Sequence, residues 1–559
     1  MPPPRELTGT ALTLSIVAFG FYLLASTLLV RKFSHVRERE PLISTTTVLG
    51  LTFALTIATC TLPVDVLLVS SSTDPRLGRK YPWADPQTMA ALATIMSWVY
   101  DMSFLALLIF CCAVVPFVYF YFEENDDELS TRRRVSLATR HMMATTIILA
   151  ILMACGLLLR PASSLPPNTP VDWDFLKKAL LRGGFETALL FVLTISMMAG
   201  LCVFLVYTSS GLFLFPIYLL KPVQSFDTEI RALSRELHDV QGSLENMLLE
   251  FPDQTAMTSR DQRRLDRLHD AERFIQRKME RVQASQPAWY SKTLALVFLP
   301  VKLVCLAISV CVVVAIMCTI LTSPPSCPSC PRLVVPIASP ANPIDMLLQV
   351  FSRAYPLDHF LFALILLYLL ACTLHGVRVL GVRILWIKMF SLRSGRTMPQ
   401  GLLLAAVFLI LTMLSLMWEM TSVLAPSYAT WGSQRYCPVV DRAMCEKDPW
   451  LVRFCELSAS TDVCTPTSLA LIVSRIALGT PVFSAVFYYV QYGSVVVSVL
   501  ALIYGVFSAR QSRAADLRED DSDDDELDAD DEHEHSVNER TRLLRNGNGG
   551  ASRPQAGRG

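Results

Sequence analysis

Long apolar runs with almost no charge recur down the whole chain, and no other feature limits the fold so tightly. They lie near residues 8–30, 43–71, 90–122, 142–160, 186–220, 293–322, 356–377, 400–424 and 475–508. A helix rising about 1.5 Å per residue needs about 20 apolar residues to cross about 30 Å of hydrocarbon, and most of these runs reach that length. The junction PFVYFYFEENDDE, residues 116–128, shows what such a run meets at its end: apolar and aromatic residues from Phe117 to Phe122 stop abruptly at carboxylates. Lipid asks for apolar residues on every face, aromatic rings settle at headgroup depth, and charge begins where water begins.

The pattern predicts an all-α, polytopic integral membrane protein with about nine transmembrane helices. The fourth run is short and ends at Arg160-Pro161, and the fifth is long enough to tilt or break near Ser209-Ser210-Gly211, which leaves eight to ten helices open. The first run is too long for a signal-peptide core and has no basic flank ahead of it, so it reads as a retained helix. Hydrophobic residues make up 52% of the chain, charged residues 18%, and the mean hydropathy is +0.42. The formal net charge is zero, which gives no reason to expect nucleic acid.

This reading divides the chain into residues 1–220 with five spans, 221–292 as a cytosolic helical hairpin, 293–508 with four more spans, and 509–559 as an acidic cytosolic tail. Two loops in the third part, 323–355 and 425–474, carry cysteine. Arginine and lysine favour the cytosolic side. They gather after the first run (Arg31, Lys32, Arg37, Arg39), the third (Arg132, Arg133, Arg134, Arg140) and the seventh (Arg378, Arg383, Lys388, Arg393, Arg396). The opposite loops hold Arg76, Arg79, Lys80, Lys177 and Lys178, so charge supports the orientation only in part.

Cysteine placement points the same way. Nine of fifteen cysteines fall inside spans, and the other six lie in two loops on one face. Disulfides persist in oxidising compartments, so those loops are expected in a lumen or outside the cell. Cys437, Cys445, Cys455 and Cys464 read as two bridges in a small cap, with three pairings open. Cys327 and Cys330 have the spacing of a metal or redox pair but lack a second ligand pair, and no metal is expected.

In the hairpin, Ile230, Leu233, Leu237, Val240, Leu244, Met247 and Phe251 form one apolar stripe that ends at Pro252, and Leu265, Leu268, Ile275, Met279 and Val282 form another. The two stripes can close on each other or serve as a docking arm. Residues 519–534 form a carboxylate block that repels itself and stays solvated. Beyond it, Glu539 followed four positions later by Leu543-Leu544 has the pattern of an acidic dileucine signal read by endosomal sorting adaptors.

Charges kept in hydrocarbon usually face protein or water. Asp65 follows Pro63 in the second run, Asp101 sits mid-way along the third, and Glu419 lies beside Trp418 in the eighth. Asp358 and His359 open the seventh run, and His375 lies near its far end. Asp65, Asp101 and Glu419 are expected to line a polar cavity or relay protons, with Asp358 a further candidate. For Asp65 and Asp358, near predicted boundaries, internal pairing is the stronger reading. No phosphate loop, nucleophile elbow or HExxH zinc pair is present, so an enzyme is not expected, no catalytic residue is assigned and no cofactor is called for.

PFVYFYFEENDD, together with LPVDVLLVS (62–70), NPIDMLLQVFSRAYPLD (342–358), SLRSGRTMPQGLL (391–403) and LAPSYATWGSQRY (424–436), resembles the limb-region membrane protein family, in particular its lysosomal cobalamin transporter branch. The resemblance runs in order over most of residues 10–508. It implies nine spans, a lumenal N-terminus and cytosolic C-terminus, a lysosomal or vacuolar membrane, and a part in the exit of cobalamin (vitamin B12), in animal members together with an ABC transporter. The lumenal loops carry no Asn-x-Ser/Thr sequon, unlike the animal members. Two functions stay open: an exporter that moves cobalamin itself, and a non-transporting adaptor or scaffold that positions an ABC transporter. No linear motif in the chain reads as a corrinoid site.

Overall fold

The computed structural model describes residues 4–34, 40–123, 131–158, 185–220, 226–250, 299–322, 342–352, 356–384, 387–390, 392, 397–438, 451–455, 463–479 and 481–508, with shorter pieces at 265, 268–269, 271–276, 279, 445 and 448. The chain forms two compact units, one from Met1–Leu219 with Val301–Ile503 and one from Leu220–Pro300 with Tyr504–Gly559.

Helices dominate. They are α1 (Pro4–Phe33), α2 (Pro41–Ser70), α3 (Pro86–Glu123), α4 (Thr131–Leu158) and α5, which runs as Phe185–Val203, Phe204–Thr208 and Ser209–Leu220. After α6 (Phe226–Glu250) come α7 (Leu299–Thr322), the short α8 (Pro343–Phe351) and α9 (Leu357–Leu380). Next is α10, made of Pro399–Glu419 and Met420–Leu424, followed by α11 (Pro426–Trp431), α12 (Ser468–Gly479) and α13 (Pro481–Ser508). Among the described residues nine are long and apolar enough to cross a membrane: α1 to α5, α7, α9, α10 and α13. Among the described residues there are also two small antiparallel ribbons, β1 (Val382–Ile384) with β2 (Ile387–Phe390) and β3 (Arg435–Tyr436) with β4 (Arg453–Phe454).

Proline opens α2, α3, α8, α10 and α11. First-turn N–H groups have no partner inside a helix, so the missing donor costs nothing there. Three spans contain a wider π turn, at Phe110–Val114 in α3, Phe204–Thr208 in α5 and Met420–Leu424 in α10. Each admits one extra residue and turns the side chains beyond it to a new face.

Several boundaries differ from the sequence reading. Helix α4 begins at Thr131, so Arg132, Arg133, Arg134 and Arg140 lie on a helix instead of in a loop. Arg134 explains part of this, since its guanidinium stacks over Tyr121 at 4.7 Å and donates to the Tyr121 carbonyl at 3.2 Å, closing the end of α3. Arg378 likewise lies within α9. The expected loops 323–355 and 425–474 contain α8, α11 and most of α12. The run 475–508 is not one helix: α12 ends at Gly479 and α13 starts at Pro481. Proline lacks an N–H and its ring clashes with the preceding turn, and Ser484 Oγ donates to the Ala477 carbonyl at 3.0 Å across the break.

The core of the first unit joins α2, α3, α5, α7, α9, α10, α12 and α13. Spans α5 and α9 meet backbone to backbone. A Cβ on Gly211 would strike the Cys372 carbonyl, and one on Gly376 would strike the Tyr207 carbonyl. Between them the Thr208 and Thr373 hydroxyls share a hydrogen bond of 2.8 Å. Small residues and interhelical hydroxyl bonds suit association in lipid, where burial of apolar surface supplies no drive. The outward faces are apolar instead: Leu12, Ile16 and Val17 on α1, Ile147, Ile148 and Ile151 on α4, and Val496, Leu500 and Ile503 on α13 are all exposed. Such continuous apolar surface fits a lipid solvent.

In the second unit, Leu233 and Met247 on α6 are buried, as are Leu265 and Ile275, while Leu237, Val240 and Leu244 are half-buried. Gln241 Nε2 donates to Glu272 Oε1 at 2.8 Å, so the two stretches lie against each other. The side chains of Ile230, Phe251 and Val282 lie outside the described residues, as do Cys327, Cys330 and the whole tail with Glu539, Leu543 and Leu544.

Candidate functional site

The buried polar groups of the first unit concentrate where α10 ends. Pro426 lacks the N–H that would continue the helix, and here the helix breaks. The chain winds through the π turn Met420–Leu424, breaks at Ala425 (φ −143°, ψ 56°) and restarts as α11. The Val423 carbonyl released at this break receives Asn342 Nδ2 at 2.8 Å and Thr319 Oγ1 at 3.3 Å. Asn342 also caps α8, accepting from Ile344 N at 3.2 Å. Asp345 Oδ1 accepts from Tyr428 N at 2.8 Å. The Tyr428 hydroxyl donates to Asp358 Oδ2 at 3.1 Å. Burial pushes the Asp345 carboxyl above the usual carboxylate range, against the hydrogen bonds from Tyr428 and Ser427. Asp358 Oδ1 and His359 Nδ1 are buried with no hydrogen-bond partner.

The other carboxylates singled out in the sequence occupy separate surroundings. Asp65, only 2% exposed, accepts from Leu469 N at 3.2 Å, so it receives the first turn of α12, where the helix end carries partial positive charge. It borders a cavity of about 40 Å³ with Met89, Met96, Thr465 and Ser468, room for water. Asp101 lies between apolar neighbours on α3 and faces Glu186 and Arg475. Arg475 Nη1 donates to Glu186 Oε1, binding α12 to the start of α5. Glu419, 1% exposed, accepts from Gln491 Nε2 on α13 at 2.6 Å. The His375 ring lies tilted against those of Phe215 and Tyr218, with ring centroids 5.6 and 5.1 Å away.

Asp345, Asn342, Glu186, Arg475 and Gln491 were not picked out by sequence reasoning. Asn342 and Asp345 fell in a stretch read as loop, and Gln491 is neutral, so no cost of burying charge marks it. The N-P-I-D segment carried a usable signal, an N-cap residue before proline at the first helical position.

The four cysteines of the 425–474 region form local pairs, Cys437 with Cys445 and Cys455 with Cys464. Gln434 organises the same segment, donating to the Thr465 and Trp431 carbonyls at 2.7 and 3.0 Å and accepting from Thr465 N at 3.0 Å. Gly432, at φ +60°, brings the chain against the end of α2, where Ser433 N donates to Ser70 Oγ at 3.0 Å. Among the described residues no group of three or more His, Cys, Asp or Glu is placed to hold a metal ion.

The model of the LMBR1-like membrane protein family matches residues 11–283. Over a longer stretch the chain is similar to proteins named probable lysosomal cobalamin transporter. In Sclerotinia sclerotiorum the identity is 29%, covering 90% of this chain and 89% of the relative. In Aspergillus oryzae it is 28%, covering 92% and 93%, and in Pyricularia oryzae 29%, covering 90% and 91%. No solved structure matches. The family match runs from the first span into the polar segment after the fifth, a little under half of the chain, and together with the nine long apolar helices among the described residues it makes the chain similar to the LMBR1-like membrane protein family.

Proposed function

We propose that this protein exports cobalamin from the lysosome or vacuole to the cytosol. The observation that carries the reading is end-to-end similarity to relatives bearing that name, over about nine-tenths of both chains. The disulfide-bonded segment, with Cys437–Cys445 and Cys455–Cys464, then faces the oxidising lumen with the N-terminus, and the α6 hairpin and acidic tail face the cytosol. Glu539, Leu543 and Leu544 would deliver the protein to that membrane through sorting adaptors. Asp65, Asp101, Asp358 and Glu419 are the membrane-depth carboxylates through which an acidic lumen acts on the helices.

A second reading is a non-transporting scaffold that holds an ABC transporter. Uptake of labelled cobalamin into liposomes holding the purified protein alone, with and without an imposed pH gradient, separates the two. Saturable uptake above protein-free liposomes establishes a carrier. No uptake by folded, inserted protein refutes export by this chain alone and directs attention to recovery of an ABC partner.

A further inference from the structure

Glu419 and Gln491 make one hydrogen bond and leave one oxygen each unused. Gln491 Nε2 donates to Glu419 Oε1 at 2.6 Å, while Glu419 Oε2 and Gln491 Oε1 are both buried without a partner. The two side chains are 1% and 4% exposed. An ionised carboxylate in this place has a single donor, and among the described residues no cation pairs with it. Taking such a charge out of water costs several kcal/mol. Two unpaired acceptors beside an existing amide-to-carboxyl bond are satisfied together by one added hydrogen.

We propose that Glu419 carries a proton on Oε2 and donates it to Gln491 Oε1, completing a carboxylic acid–amide pair that latches α10 to α13. When the proton leaves to water entering between the helices, the O–H···O bond is lost, two lone-pair-bearing oxygens face each other, and the latch opens. The inference rests on the export reading and gives it a proton-operated step.

The surroundings suit a latch. On one side Trp418 packs edge-on against Phe483 and Phe487 of α13, at centroid distances of 4.7 and 5.9 Å. Two turns beyond Gln491, Ser498 Oγ donates to the Ser209 carbonyl at 3.0 Å, just past the π turn of α5. Glu419 itself borders the π turn of α10, a place where a helix changes register at small cost. The carboxylates, histidines and basic groups on the helices packed against α10 are Asp65, Asp101, Glu123, Glu186, Asp358, His359, His375, Arg378 and Arg475. Asp65 is taken by α12, Glu186 and Arg475 by each other, and Asp358 by Tyr428. The rings of His359 and His375 lie against Phe360 and against Phe215 with Tyr218. On α13 the hydroxyls of Tyr488 and Tyr492 bond each other at 2.7 Å.

The test is the infrared difference spectrum of the purified full-length protein between acid and alkaline buffer. A neutral carboxylic acid band is expected, absent from Glu419→Gln, whose amide still pairs with Gln491 and so preserves packing. Gln491→Met is expected to keep the band but shift it to the position of an unbonded acid. A band set unchanged in folded Glu419→Gln, or unmoved in Gln491→Met, overturns the latch. No substrate enters the measurement, so the band pattern in a protein that fails to move cobalamin supports the latch while overturning export.

Discussion

Alanine at Gly211 or Gly376 forces apart two spans that the structure brings into backbone contact. A Cβ at 211 would stand 2.6 Å from the Cys372 carbonyl carbon, and one at 376 would stand 2.9 Å from that of Tyr207. Carbon atoms pack at about 3.5–4.0 Å, so either methyl demands a separation of about 1 Å. Overpacking of this kind costs about 1–3 kcal/mol. The same movement stretches the Thr208–Thr373 hydroxyl bond, now 2.8 Å, which adds about 1 kcal/mol. Each single variant is therefore expected to lose about 2–4 kcal/mol. Because one displacement accommodates both methyls, Gly211→Ala with Gly376→Ala should cost little more than the worse single change, a strong coupling in a double-mutant cycle. Gly242→Ala, where nothing stands within 4 Å, is the control and should gain about 0.5–1 kcal/mol from helix entropy. Denaturation of the full chain in micelles, followed by circular dichroism, measures all four. Additive losses, or singles within about 0.5 kcal/mol of wild type, would refute the close approach.

The two disulfides close loops with separations of 8 and 9 residues, for which chain entropy gives about 2.5 kcal/mol each. Replacing Cys437 with Cys445, or Cys455 with Cys464, by serine pairs should lower stability by that amount independently, and equal stability of reduced and oxidised protein would contradict it. Asp345 binds its proton more tightly folded than unfolded, so stability should fall as pH rises from the unfolded carboxylate pKa through the raised folded one. Asp345→Asn keeps an acceptor for Tyr428 N and should flatten that limb in pH-dependent melts; an unchanged slope would dismiss the assignment. Asp65→Ala leaves the Leu469 N–H buried without an acceptor and should cost about 1–3 kcal/mol, with Asp65→Asn milder. Equal losses from the two changes, in the same denaturation assay, would show that the bond to α12 is not what Asp65 supplies.

The spans were legible because hydrocarbon imposes one rule on every residue in a run, and the run 400–424 became α10 almost residue for residue. Breaks were less so. Pro63 and Pro216 stand inside continuous helices, while Pro481 separates two, so a proline alone does not say whether neighbours will satisfy the freed carbonyl. At the site, Asp65, Asp101, Asp358 and Glu419 stood out because charge in a membrane run is costly to bury. Their partners did not. Gln491 lies 72 positions from Glu419, and Tyr428 looks like an ordinary aromatic until its hydroxyl is seen at Asp358.

The cysteine pairs join near neighbours, 437 to 445 and 455 to 464, and neither crosses to another part of the chain. Both rings are complete within the stretch made after α10 and before α13. During synthesis, oxidation therefore need not wait for the last helix to leave the ribosome, and no wrong long-range partner has to be exchanged afterwards. The segment that abuts the end of α2 can be finished first and serve as a fixed surface onto which α12 folds.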